Sequence, residues 1–147
     1  MSDASRLIDV DYPAYLSQHD LVYESPPNMP MHGIPLGDGE TGALLWTPPD
    51  AIRFELGRND LWDDGPERPF DPWGHEDEEV ASALRAAGQF SITSGLPILD
   101  RLYLTDFELR LDLHRATAHL HSETPLGNVH AEVFMPARAD DEVAGLP

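Results

Sequence analysis

Cysteine is absent from all 147 residues, so the chain can form neither a disulfide framework nor a thiolate zinc site, and it has no thiol nucleophile. Lysine is absent too. All nine basic residues are arginines, set against 27 acids for a net charge of -18 at pH 7. A surface of that sign repels phosphate backbones, so no nucleic-acid partner is expected. Aspartate-rich sequence without lysine fits either a GC-rich genome or a high-salt cytoplasm. No run approaches the ~20 apolar residues of a membrane helix. The opening MSDASRLIDVDYPAY also lacks the basic and then apolar regions of a signal peptide. The expectation is a protein with no membrane partner, placed in the cytoplasm. Internal repeats and low-complexity tracts are missing as well. The length is that of one domain, 1–147, large enough to bury a core.

The richest stretch is 33–65, GIPLGDGETGALLWTPPDAIRFELGRNDLWDDG. Gly37, Gly39 and Gly42 allow positive φ and close backbone approach, which predicts a turn. Ala43 to Thr47, the corner Pro48-Pro49-Asp50 and the alternating run Ala51 to Leu56 then read as a hairpin. Leu21-Val22-Tyr23 reads as an earlier strand, closed by the extended connector Pro26 to Pro30. Residues 63–79 form a long acidic, proline-bearing loop, of a length often tied to function. From Glu76 to Ala87 the spacing of Val80, Leu84 and Ala87 predicts one short helix, stopped by Gly88. Beyond it, Phe90 to Thr93, Leu102 to Leu104, Phe107 to Leu113, Thr117 to His121 and Val129 to Met135 read as strands. His114-Arg115-Ala116 and Leu126-Gly127-Asn128 connect the last three. In 107–113 the apolar Phe107, Leu109, Leu111 and Leu113 alternate with Glu108, Arg110 and Asp112, the pattern of an antiparallel strand with one buried face. The fold class that follows is mostly β, an antiparallel β-sandwich with one short helix.

Ile34-Pro35-Leu36-Gly37-Asp38-Gly39-Glu40-Thr41-Gly42-Ala43, followed after the second strand by Arg58-Asn59-Asp60-Leu61-Trp62-Asp63, resembles the opening of the N-terminal β-sandwich domain of family-95 glycoside hydrolases, the α-L-fucosidase-type enzymes. The family pattern there is "lPiGNGrlGAmvfG … i.lNedtLWsG". Asp38 stands where the pattern has Asn, and Asp63-Asp64 precede Gly65 where it has a single Ser. Trp46 and 57–64 also fit a related group of sandwich domains that reads "PLGNGdiGa…W…GktDaWde". The resemblance implies a non-catalytic sandwich domain that packs against a helical catalytic barrel, in a parent enzyme hydrolysing fucosylated or related glycans with inversion. The general acid and base of such enzymes lie in the barrel, so no catalytic residue is assigned here. Residues 137–147, ARADDEVAGLP, suggest no closing element, and a fragment is expected.

Three constellations could carry chemistry. Asn59, Asp60, Trp62 and Asp63 could bind carbohydrate, since an indole offers an apolar face to sugar C–H groups and carboxylates accept hydroxyl hydrogen bonds. Trp62 could equally plug the end of the sandwich while Asp60 caps a turn. Trp46 and Trp73 are alternative platforms. The catalytic carboxylates of glycosidases stand about 5–9.5 Å apart, but among 27 acids no spacing singles out a pair. His119 and His121 share one strand face, with His130 on a neighbouring strand, as metal ligands would. Glu123 lies too close to His121 for a cupin pattern, and solvated histidines suit a polar strand face. Gly37-Asp38-Gly39 is not a phosphate loop, because no lysine follows. No metal and no cofactor is expected. The leading expectation is the sandwich domain of a glycoside hydrolase, the second an autonomous carbohydrate-binding sandwich, and the third a histidine metal-binding sandwich.

Overall fold

The computed structural model describes residues 10–63 and 83–136. Of the loop expected at 63–79, Asp63 ends the strand Ala51–Asp63 and the remainder with Trp73 lies outside the described residues, as do the first half of the 76–87 helix and the tail 137–147. Two antiparallel sheets of four strands face each other. One contains β1 (Leu21–Tyr23), β6 (Asp106–Asp112), β7 (Thr117–Thr124) and β8 (Gly127–Phe134) in the order β1-β6-β7-β8. The other is a meander of β2 (Ile34–Gly37), β3 (Thr41–Trp46), β4 (Ala51–Asp63) and β5 (Ala83–Thr93). This is the mostly β, antiparallel sandwich that the period-2 runs predict.

Alternation decides which face each strand buries. Ile34, Leu36, Ala43, Leu45, Ile52 and Phe54 point inward from one sheet and meet Phe107, Leu109, Leu111, Ala118 and Leu120 from the other. Leu99 joins them from the crossover after β5; its N–H donates to Pro49 O at 2.9 Å. The same crossover is fastened by Ser122 Oγ to Ile98 O at 3.0 Å and by Arg101 to Ser25 Oγ and Pro26 O, each at 3.2 Å. Both chain passages between the sheets are thereby fixed to the core they enclose.

Four local expectations are corrected. Among the described residues the short helix is α1, Tyr12–Leu16, started by Asp11, whose carboxylate accepts from Ala14 N at 3.1 Å. Residues 83–87, expected to end a helix, belong instead to β5, and Gly88 continues the strand at φ 146°. Alanine-rich sequence favours helix locally, but pairing along β4 overrides that preference. Leu102-Tyr103-Leu104 is a turn: Asp100 accepts from Leu102, Tyr103 and Leu104 N–H groups, and Leu102 is left 85% exposed. Between β7 and β8 the connection is only Pro125-Leu126, with Thr124 paired to Gly127. Leu113 falls past the end of β6, so only three of its four apolar residues are buried. No helix among the described residues is long and apolar enough to cross a membrane.

Candidate functional site

The two halves of the glycine-and-tryptophan motif come together at one end of the β2–β5 sheet. In the β2–β3 turn, Asp38 Oδ1 accepts from Glu40 N at 2.9 Å and Thr41 N at 2.7 Å. Asp38 N–H donates to Thr41 O at 3.1 Å, and Gly39 takes φ 96°. An asparagine Oδ1 would accept the same two bonds, which explains why aspartate serves here. Of the three glycines, only Gly39 needs positive φ.

Asn59 clamps that turn from the second half of the motif. Its N–H donates to Glu40 O at 3.0 Å and its side-chain amide to Gly39 O at 3.2 Å. Beside it, Arg58 donates to Asp60 through Nε at 2.9 Å and Nη2 at 2.8 Å, and also to Glu40. The bidentate bond to Asp60, followed by the charges of Asp60 and Glu40, raises the Arg58 guanidinium pKa and keeps it cationic. Trp62 turns its indole N–H back to Asn59 O at 2.8 Å, yet the residue remains 56% exposed. It does not plug the sandwich.

Strand geometry explains the projection. Gly57 pairs with Ala86 and Trp62 with Leu84, so β4 spends five steps where β5 spends two. The excess is a wide bulge that pushes 58–61 away from the ladder, a device common beside binding sites. Asn59, Asp60 and Trp62 therefore do gather in one place; the side chain of Asp63 lies outside the described residues.

Next to the bulge is a shallow concavity of about 610 Å³. Its floor follows a line across the sheet, Gly37 opposite Gly42, Gly42 opposite Gly57 and Gly57 opposite Ala86. Polar Glu40, Arg58 and Asn59 border it. Sequence reading placed Asn59, Asp60 and Trp62 but passed over Glu40 and Arg58. The signal for Arg58 was a cation two residues before Asp60 in a stretch otherwise charged only by acids. Trp46 is only 2% exposed and offers no platform.

The histidines occupy the outer face of the other sheet. His121 and His130 lie against each other across β7 and β8, their rings tilted by 36° with centroids 4.6 Å apart and Nδ1 atoms at 3.2 Å. His121 Nε2 lies 3.1 Å from Asp106 and 3.6 Å from Glu123, whereas His119 pairs with Glu132 at 3.5 Å. His119 and His121 are partly covered and His130 is exposed, so the three line a polar outer face with carboxylates or each other as neighbours. Among the described residues, no group of three or more histidine and carboxylate side chains is disposed to hold a metal ion. Compared with protein-family models and with curated proteins, the sequence finds no match.

Proposed function

We propose that this chain is a non-catalytic β-sandwich domain of a glycoside hydrolase acting on fucosylated or related glycans. The observation that carries the reading is the interlock of the two motif halves: the 38–41 turn, Asn59 and Trp62 are joined by three hydrogen bonds at one sheet end. A motif conferring only a turn would not need the second half. Trp62, exposed and held by its own N–H, presents an apolar ring beside Asn59 and Asp60, the combination that stacks on a pyranose and bonds its hydroxyls. A helical barrel would supply the acid and base, and this chain by itself would not turn over substrate.

The exposure of Trp62 also favours a second reading, an autonomous carbohydrate-binding sandwich. Titration of fucosylated and galactosylated oligosaccharides against tryptophan fluorescence tests the feature both readings share. A saturable change, lost in Trp62→Ala, is the expected result. Silence toward every glycan would remove the binding role. Glycosidase turnover that disappears when one particular carboxylate is neutralised would overturn the non-catalytic assignment. A helical barrel in the same reading frame separates the two readings.

A further inference from the structure

Among the described residues, β5 pairs with β4 on one side and with no strand on the other. Its inward-facing residues are nevertheless apolar and uncovered. Phe90 and Ile92 are 51% and 54% exposed, while their cross-strand partners on β4, Phe54 and Ile52, are 5% and 8% exposed. Cover from the opposite sheet thus ends between β4 and β5, and the apolar ladder continues one strand beyond it. Natural sheets suppress such edges with charged residues or proline. In a chain with 27 acids, residues 83–93 contain no acid and no proline, and their one charge is Arg85. The strand itself therefore adds no acid to the repulsion between copies carrying -18 each.

We propose that this edge pairs with the same edge of a second copy, joining two four-stranded sheets into one across a two-fold axis. Antiparallel pairing of a strand with itself is isologous and closes at the dimer. The register follows from the strand. Gly88 marks the place where pairing with β4 shifts, leaving a regular segment from Gly88 to Thr93. Residues opposite one another must share a face, which puts the axis at a residue rather than between two. At Phe90 the axis extends an existing contact, because Phe54 and Phe90 already stack with centroids 4.9 Å apart and planes at 21°. Phe90 then meets the partner's Phe90, making a four-ring row, and Gln89 faces the partner's Ser91 on the outer side. Aromatic cross-strand pairs of this kind stabilise sheets.

Sedimentation velocity on the full chain over a concentration series, at about 0.15 M and about 1 M salt, tests the pairing. The average mass should climb from 16.3 kDa toward twice that value, at lower concentration in the higher salt. At the lower salt, Gln89→Lys with Ser91→Lys sets lysine against lysine twice across the axis and should weaken association roughly tenfold. Gln89→Lys with Ser91→Glu turns both pairs into attractions and should restore it. In the monomer the second combination also lies beside Glu55 and Arg53, its β4 neighbours, and so keeps the strand intact. Phe90→Gln provides a separate check by removing the central pair, and thermal melts confirm that each variant is folded. A chain that stays monomeric throughout, or charge variants that associate alike, would overturn the proposal.

Discussion

Asp20 stands immediately before β1 in a stretch with no recognisable motif, yet it is among the best satisfied side chains of the molecule. Its carboxylate, 2% exposed, accepts from Arg110 Nε at 2.9 Å and Nη2 at 2.6 Å, and from Leu113 N at 3.0 Å. The Leu113 N–H, then the Arg110 hydrogen bonds, hold its pKa below the ordinary aspartate value, against the opposing effect of desolvation. A depressed folded-state pKa means that the unfolded chain takes up the proton first as pH falls. The stabilisation is therefore complete above the ordinary aspartate pKa and is lost as pH drops through the lowered one. Asp20→Asn should melt below the parent chain at neutral pH, and the gap should close in acid; melting curves from pH 7 to about 2 check this. A constant gap would mean that the contact acts by shape alone. Sequence gave no warning of Asp20, since its partners are 90 and 93 residues away. The turn that Asp38 closes, by contrast, was legible from its glycines, and the partners of Asp38 are only two and three residues along.

At the scale of elements, spacing within the strands was readable and their ends were not. β6 followed its alternation except at Leu113, which no neighbouring strand reaches. The hairpin β3–β4 stood where the Pro48-Pro49-Asp50 corner put it, but β4 continues to Asp63 through a bulge that only pairing with β5 creates. Residues 83–87 show the opposite case: a helical composition was captured as a strand by a partner remote in sequence. Glycines reveal the same division. A Cβ at Gly33, where the turn Pro30–His32 enters β2, would stand 2.8 Å from Leu45 O and 3.0 Å from Pro30 O, both backbone atoms. Gly33→Ala should accordingly cost about 1–3 kcal/mol in denaturant unfolding. At Gly57 a Cβ meets nothing within 4 Å and φ is not positive. Gly57→Ala should be tolerated or slightly stabilising, since glycine weakens a strand. Equal losses at the two positions would contradict the packing described for the β2 entry.

Across the whole molecule, charge opposes compaction. With -18 net, self-repulsion should be relieved by salt as the Debye length falls from about 10 Å at 0.1 M to about 3 Å at 1 M. The melting temperature should rise through that range, and a value independent of salt would sink the argument. Comparing the two charge variants on β5 at one salt concentration separates this effect from association. What the sequence determined by itself is what short-range rules can carry: the mostly β class, the inner faces of β4, β6 and β7, the glycine turn at 37–42, and the grouping of Asn59, Asp60 and Trp62 within four residues. Tertiary structure decided the rest. It drew residues 83–87 into β5, which is an end strand among the described residues, and exposed Trp62 on a bulge. It also bound Arg58 to Glu40 and Asp20 to Arg110. Each of these depends on a partner on another element of the chain, and alternation along one strand specifies which face is buried but not which strand will cover it.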